Sequence, residues 1–292
     1  MRWLLVAAFA LFLFACTSEP KVREEGSGAP PLWLIENARG EVEGWLFGTI
    51  HSLPAGILWN TELLDTVFEQ ADLLVVEVAN PDDSAAVGDV LASLAFDDPP
   101  SAPLRERIDP ANRARLAELL ISSRVRRDGF DRMESWAAAL ALNQAAAGSG
   151  RDVAVDKTLI ERFETRDVLE LEGAARQLAV FDALPEPEQR DLLDAIIEQS
   201  VDADAEFARL ARIWSTGDMA ALEATAGDGL LADPELYEAL LANRNRLWAE
   251  RLESLLASDA TPLIAVGAAH MFGPDGLPTL LAKRGYTVRQ VQ

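Results

Sequence analysis

Trp45-Leu46-Phe47-Gly48-Thr49-Ile50-His51 and Leu263-Ile264-Ala265-Val266-Gly267-Ala268-Ala269-His270 are two versions of one phrase: an apolar run, a glycine, two small or apolar residues, and a histidine. His51 and His270 are the only histidines in the 292 residues. A short apolar run bounded by glycine reads as a buried strand. A histidine three residues past that glycine then belongs to the loop at the strand's carboxyl end, where open α/β sheets build their ligand sites. Two such strands side by side bring both imidazoles to one rim. The phrase therefore predicts a shared site as well as two buried strands.

Outward from the first phrase, residues 32–35 and 42–50 flank Asn37-Ala38-Arg39-Gly40, which reads as a β-hairpin whose second strand delivers His51. Asn60 or Thr61 caps a helix to about residue 71, and Leu73-Leu74-Val75-Val76-Glu77-Val78 follows as a buried strand with a carboxylate inside it. Residues 84–95 are Ala/Leu-rich and helical in pattern, a Pro-rich break follows at 99–103, and further helices are expected from Pro110 and from about Met133 to Ala147. A short helix over 156–163 leads to Val168-Leu169-Glu170-Leu171-Glu172, a strand ending at Gly173. Helices over 174–183, 186–200 and 202–214 come next. Asp233-Pro234 starts a helix to about Leu256, as an N-cap with proline in the first turn. The second phrase, a helix over 276–284 closed by Gly285, and a strand over 286–291 complete the chain. Strands alternating with helices predict an α/β fold: a central, mostly parallel sheet flanked by helices, with a helical insertion at about 82–150.

Composition is globular, 49% hydrophobic and 25% charged, and the length allows one large or two ordinary domains. A formal net charge of −22 argues against nucleic acid as a partner, because phosphate binding needs the opposite sign. After Met1-Arg2 an apolar run reaches Ala15; it is too short to cross a bilayer and reads as a signal peptide over 1–15. Leu13-Phe14-Ala15-Cys16 resembles a bacterial lipobox, with Phe14 bulkier than usual at its position. Cys16, the only cysteine, is the expected lipid-bearing N-terminus, and it leaves no thiol for a disulfide or a thiolate metal site. Residues 16–31 have the Gly/Pro/Ser composition of a tether, so the folded domain is expected over 32–292. The expected location is the cell envelope, exported and lipid-anchored, facing the periplasm from the outer membrane.

Beside the histidines, Glu77 interrupts the face that Leu73 and Val75 otherwise keep apolar, at the carboxyl end of its strand. A buried carboxylate demands a cationic neighbour. Glu172 repeats the arrangement before Gly173. Arg244 lies on the stripe made by Leu240, Leu241 and Trp248, so it either extends along apolar surface to water or faces a buried carboxylate. Two imidazoles and a carboxylate form a ligand set that suits zinc, manganese or iron, with positions left for water and substrate. Without a metal, His51 or His270 is instead a general base oriented by Glu77. The residues alone leave both schemes open.

The text Leu46-Phe47-Gly48-Thr49-Ile50-His51-Ser52-Leu53-Pro54, Val76-Glu77, Leu171-Glu172-Gly173 with Gln177 to Leu184, Arg244-Asn245 with Trp248, Val266-Gly267-Ala268-Ala269-His270 and Gly285-Tyr286 resembles the TraB/GumN family. That family is related to the Tiki proteins and grouped with erythromycin esterase and the haem-binding ChaN proteins. The resemblance implies an α/β fold with both histidines, the strand glutamate and the helix arginine at one site. It further implies a metal-dependent hydrolase of the peptidase type. His51, Glu77 and His270 would be the ligands of a divalent metal (Mn, Co or Zn), and Glu172, Arg244 and Asn245 would join Glu77 in the catalytic set. A peptide or protein in the envelope is the implied substrate. Relatives in the wider group imply two alternatives, a metal-independent His/Glu esterase and a non-catalytic protein that binds a peptide or a haem-like ligand.

Overall fold

The computed structural model describes residues 29–50, 53–54, 56–80, 84–96, 102–122, 127–146, 155–227 and 230–292. The expected signal peptide, Cys16, most of the tether and His51 lie outside the described residues. Strands β1 (Leu32–Glu36), β2 (Val42–Thr49), β3 (Leu73–Val76), β4 (Asp167–Glu170), β5 (Pro262–Gly267) and β6 (Thr287–Gln290) form one sheet in the order β4-β3-β5-β2-β1-β6. The β4-β3, β3-β5 and β5-β2 pairs are parallel, whereas β1 runs against both β2 and β6. The fold is α/β with a mostly parallel central sheet.

The hairpin forms because Asn37 supplies its own turn: its Oδ1 accepts from the backbone N–H of Arg39 at 2.8 Å and of Glu41 at 3.1 Å. In β5, which is nearly continuously buried, successive side chains feed opposite cores. Leu263 and Ala265 join Phe47, Trp59 and Trp214 on one face, and Ile264 and Val266 join Leu46, Val75, Trp248 and Leu252 on the other. On the first face the rings of Phe47 and Trp59 lie 6.1 Å apart, as do those of Phe47 and Trp214. Each aromatic buries roughly 150–250 Å², enough for about 4–6 kcal/mol of transfer free energy before entropy is counted. The Trp214 indole N–H donates to Gly48 O at 2.7 Å, which fastens the Ala203–Ser215 helix to the carboxyl end of β2.

Between β3 and β4 the chain runs through helices that include Ser84–Leu94, Arg113–Ser122, Ser135–Ala146 and Val155–Arg162. Trp136 and Leu142 of this region close a separate core with Leu192, Leu193 and Ile197 of the Glu186–Gln199 helix. Three details depart from the expected elements. Helix Met219–Gly227 was not anticipated. The segment expected as one helix from Pro234 to Leu256 contains a π-helical turn, Glu238–Ala242, between Pro234–Tyr237 and Asn243–Leu256. β3 and β4 stop at Val76 and Glu170, so Glu77 and Glu172 lie just beyond their strands. The N–H groups of Glu172 and Gly173 turn instead onto Glu77 O at 3.3 and 3.0 Å, and Gly173 at φ 75° starts the Gly173–Asp182 helix. Among the described residues no helix is long and apolar enough to cross a membrane.

Candidate functional site

The carboxyl ends of β3, β4, β5 and β2 form one rim. Glu77 follows β3, Glu172 follows β4, and Gly267 ends β5 before a 3-10 turn, Ala268–Met271, that carries His270. Arg244 and Asn245 reach the rim from the Asn243–Leu256 helix, which covers the sheet face lined by Val75 and Ile264. Both glycines of the repeated phrase sit where a neighbour approaches closely. A Cβ on Gly267 would sit 3.3 Å from Glu77 Oε1, and one on Gly48 would sit 3.3 Å from the Ala268 Cα. The Gly267 N–H uses this access to donate to Glu77 Oε1 at 2.8 Å.

Arg244 is wedged between two carboxylates. Its Nη2 reaches Glu77 Oε2 at 2.8 Å and Glu172 Oε1 at 2.5 Å, Nε donates to Glu172 Oε2 at 3.2 Å, and Nη1 donates to Leu240 O at 2.8 Å. The side chains of Arg244, Glu77 and Glu172 are only 12%, 13% and 7% exposed. The guanidinium therefore faces buried carboxylates and does not extend to water. Burial pushes the Glu172 carboxyl above its usual range; the Arg244 fork pulls the other way and the Glu77 charge adds to the rise. Among the described residues this cluster sets two carboxylates against one guanidinium. Gln177, from the Gly173–Asp182 helix, adds a 3.2 Å bond to Glu77 Oε2.

His270 is buried and its tautomer is set by Asn245. The Asn245 amide nitrogen donates to His270 O at 3.2 Å and to Asp275 O at 2.8 Å, so its Oδ1 is the atom turned to the imidazole. Oδ1 lies 2.6 Å from His270 Nδ1, which must carry the hydrogen. The acceptor nitrogen, Nε2, is then on the Glu77 side, 4.0 Å from Oε1. Trp248 packs against this ring at 4.4 Å between centroids, and its face also receives the Arg244 guanidinium at 4.6 Å. The π-turn immediately precedes these residues: the Asn243 N–H bonds back five residues to Glu238 O. Such insertions occur often at functional sites.

Of the residues singled out from the sequence, the structure brings together Glu77, Glu172, Arg244, Asn245 and His270; His51 is outside the described residues. Among the described residues, no group of three or more His, Cys, Asp and Glu is arranged to hold a metal ion. The donors present nevertheless fit one in kind. A neutral imidazole fixed through its remote nitrogen by an amide oxygen, and a carboxylate oriented by several donors, is the outer-shell arrangement of metal-binding histidines and carboxylates. Gln177 and the packing role of Trp248 were not singled out as site features. Gln177 lies four residues past Gly173, a spacing that points one helical turn back toward the strand ends.

Compared with known proteins, the chain matches the TraB/PrgY/gumN family over residues 31–290. It is 24% identical over 247 residues to the uncharacterized protein YbaP of Shigella flexneri, covering 83% of this chain and 89% of that one. It is likewise 24% identical over 218 residues to the uncharacterized protein YbaP of Escherichia coli (strain K12), covering 73% of this chain and 78% of that one. No solved structure matches it. A match that runs from the residue before β1 to the last residue of β6, and takes in every residue of the rim, means that the chain belongs to the TraB/PrgY/gumN family.

Proposed function

We propose that the protein is an exported, lipid-anchored hydrolase of the cell envelope that depends on a divalent metal and cleaves peptide bonds at the rim built by Glu77, Arg244, Asn245 and His270. The observation that carries the reading is the fixed orientation of His270, with Nδ1 on Asn245 Oδ1 at 2.6 Å and Nε2 turned to Glu77 Oε1 at 4.0 Å. His51, Glu77 and His270 would hold the metal. When bound, such an ion supplies an activated water near neutral pH and polarises the carbonyl under attack.

The remaining work falls to the chain itself. Glu77 is aimed by Arg244 Nη2 at 2.8 Å and the Gly267 N–H at 2.8 Å. Arg244, held between the two carboxylates, keeps the side chains of Glu77 and Glu172 in register at the rim. Glu172 grips the guanidinium through both its oxygens, so its role is to position Arg244. Asn245 holds the proton on His270 Nδ1 and fixes the ring. The test is hydrolysis of a mixed peptide library by protein stripped with chelator, before and after addition of manganese, cobalt or zinc. Activity should vanish on stripping and return with metal. Full hydrolysis in excess chelator would transfer the chemistry to His270 as a general base.

A further inference from the structure

On the opposite face of the sheet from Arg244, a cavity of about 850 Å³ opens at the same rim. Leu210, Trp214, Leu222, Leu231 and Phe272 make its walls, and Gly267, Ala268 and Ala269 form its border with the site. That border is low, since the three residues carry no side chain larger than a methyl group. The volume is that of a ligand site rather than of a packing defect. Thr49, at the end of β2 and paired in register with Gly267, also lines it. Side-chain alternation places Thr49 on the same face as Phe47, whose ring packs on Trp214. Thr49 is 3% exposed, yet its Oγ1 has no hydrogen-bond partner among the described residues. A buried hydroxyl left unpaired forfeits its bonds to water without replacement, so its place at a cavity wall points to a ligand that completes it. Among the described residues that line it, Glu198, which accepts from Asn112 Nδ2 at 3.1 Å, Asp202 and Glu206 stand against one cation, Arg209, which pairs with Glu206 at 2.7 Å.

We propose that this cavity is the side-chain subsite for an extended peptide substrate. One apolar side chain fills the space against Trp214 and Leu222, a peptide carbonyl beside it accepts from Thr49 Oγ1, and a basic group one or two residues away faces Glu198, Asp202 and Glu206. The peptide then crosses the low Gly267-Ala268-Ala269 border with a neighbouring amide at Glu77 and His270. The inference rests on the hydrolase reading for its substrate but not for its binding. Acidic and purely lipidic occupants fit poorly, because the mouth repels a carboxylate and an acyl chain offers Thr49 nothing to bond.

The test is fluorescence anisotropy with the full chain in detergent, treated with chelator so that no probe is cleaved. The probes are labelled Lys-Leu-Phe-Ala-Gly-Ser, the same peptide with Glu in place of Lys, and a fluorescent fatty acid. The lysine peptide should bind roughly tenfold more tightly than the glutamate peptide, a gap that shrinks in 1 M salt. Thr49→Val should raise the melting temperature, because it removes an unpaired hydroxyl at nearly constant shape, and weaken the lysine peptide several-fold. Asp202→Lys, at an exposed position, should erase the preference between the two peptides. Equal binding of both peptides, tighter binding of the fatty acid, or a Thr49→Val variant that is destabilised or binds as wild type would overturn the proposal. Peptide binding with these signatures but no hydrolysis under any metal would keep the subsite and remove the hydrolase reading. Metal-dependent hydrolysis indifferent to Thr49 and Asp202 would do the reverse.

Discussion

Replacing Arg244 by alanine takes away the guanidinium that bridges two carboxylates whose side chains are 13% and 7% exposed. Removing one partner of a buried ion pair costs about 3–5 kcal/mol, mostly from the charge left behind. Here both Glu77 and Glu172 are left, and Leu240 O also loses its 2.8 Å donor, so the upper half of that range applies. For a chain of this size each kcal/mol moves the melting temperature by roughly 2–4 °C, which gives a fall of about 8–20 °C. Lysine keeps the charge but has a single nitrogen, which does not reach Glu77, both oxygens of Glu172 and Leu240 O together; Arg244→Lys should recover less than half of the loss. A double-mutant cycle separates this account from simple loss of packing against Trp248. Glu172→Gln removes one of the stranded charges, so Arg244→Ala combined with Glu172→Gln should lose at least about 1 kcal/mol less than the sum of the single variants. Urea unfolding followed by circular dichroism supplies all four free energies. Additivity within about 0.5 kcal/mol, or an Arg244→Ala cost below that value, would refute the claim that the guanidinium neutralises this pair.

Asn245→Ala should destabilise the protein by about 2–3 kcal/mol in urea unfolding, because the backbone carbonyls of His270 and Asp275 lose their buried donor, and should cut peptide hydrolysis or metal affinity roughly 10–100-fold by releasing the imidazole. Gly267→Ala brings a methyl group to 3.3 Å from Glu77 Oε1 and 3.8 Å from His270 Cδ2; it should cost about 1–3 kcal/mol and lower metal affinity more than Gly88→Ala, a helical position at which a Cβ meets nothing within 4 Å. Cys16→Ser should move the protein from the membrane to the soluble fraction on cell fractionation, and unchanged membrane association would remove the lipid-anchor reading.

Much of the fold was legible because few residues carry it. The two apolar runs that end in Gly-x-x-His are β2 and β5, paired in parallel at the centre of the sheet. The stripe of Leu240, Leu241 and Trp248 placed Arg244 on the inner side of its helix, but periodicity says nothing about what lies across from it. Glu77 and Glu172 become its partners only when β3 pairs with β4. The π-turn left no trace in the apolar pattern, since one added residue shifts the stripe by less than the width of a buried face. Arg244 Nη1 donates to Leu240 O, inside the π-turn and four residues back along the same helical segment. Helix Met219–Gly227 had a legible start that went unread: Asp218 caps it, accepting from the Ala221 N–H at 3.0 Å. Gln177 and Thr49 stayed silent for another reason. A glutamine on a helix and a threonine at a strand end are ordinary in sequence, and their significance lies in what the sheet sets beside them.

The central claim, that His51, Glu77 and His270 hold one metal, is tested most directly by the melting temperature of chelator-stripped protein during titration with manganese, cobalt and zinc. A ligand of the folded state at about 100 times its Kd stabilises by about 2.7 kcal/mol, which for this chain is a rise of roughly 5–11 °C. The account predicts that rise for at least one of the three metals in the wild type and its loss in both His51→Ala and His270→Ala. A wild type whose melting temperature is unmoved by all three metals, or a shift that survives in either histidine variant, would contradict it.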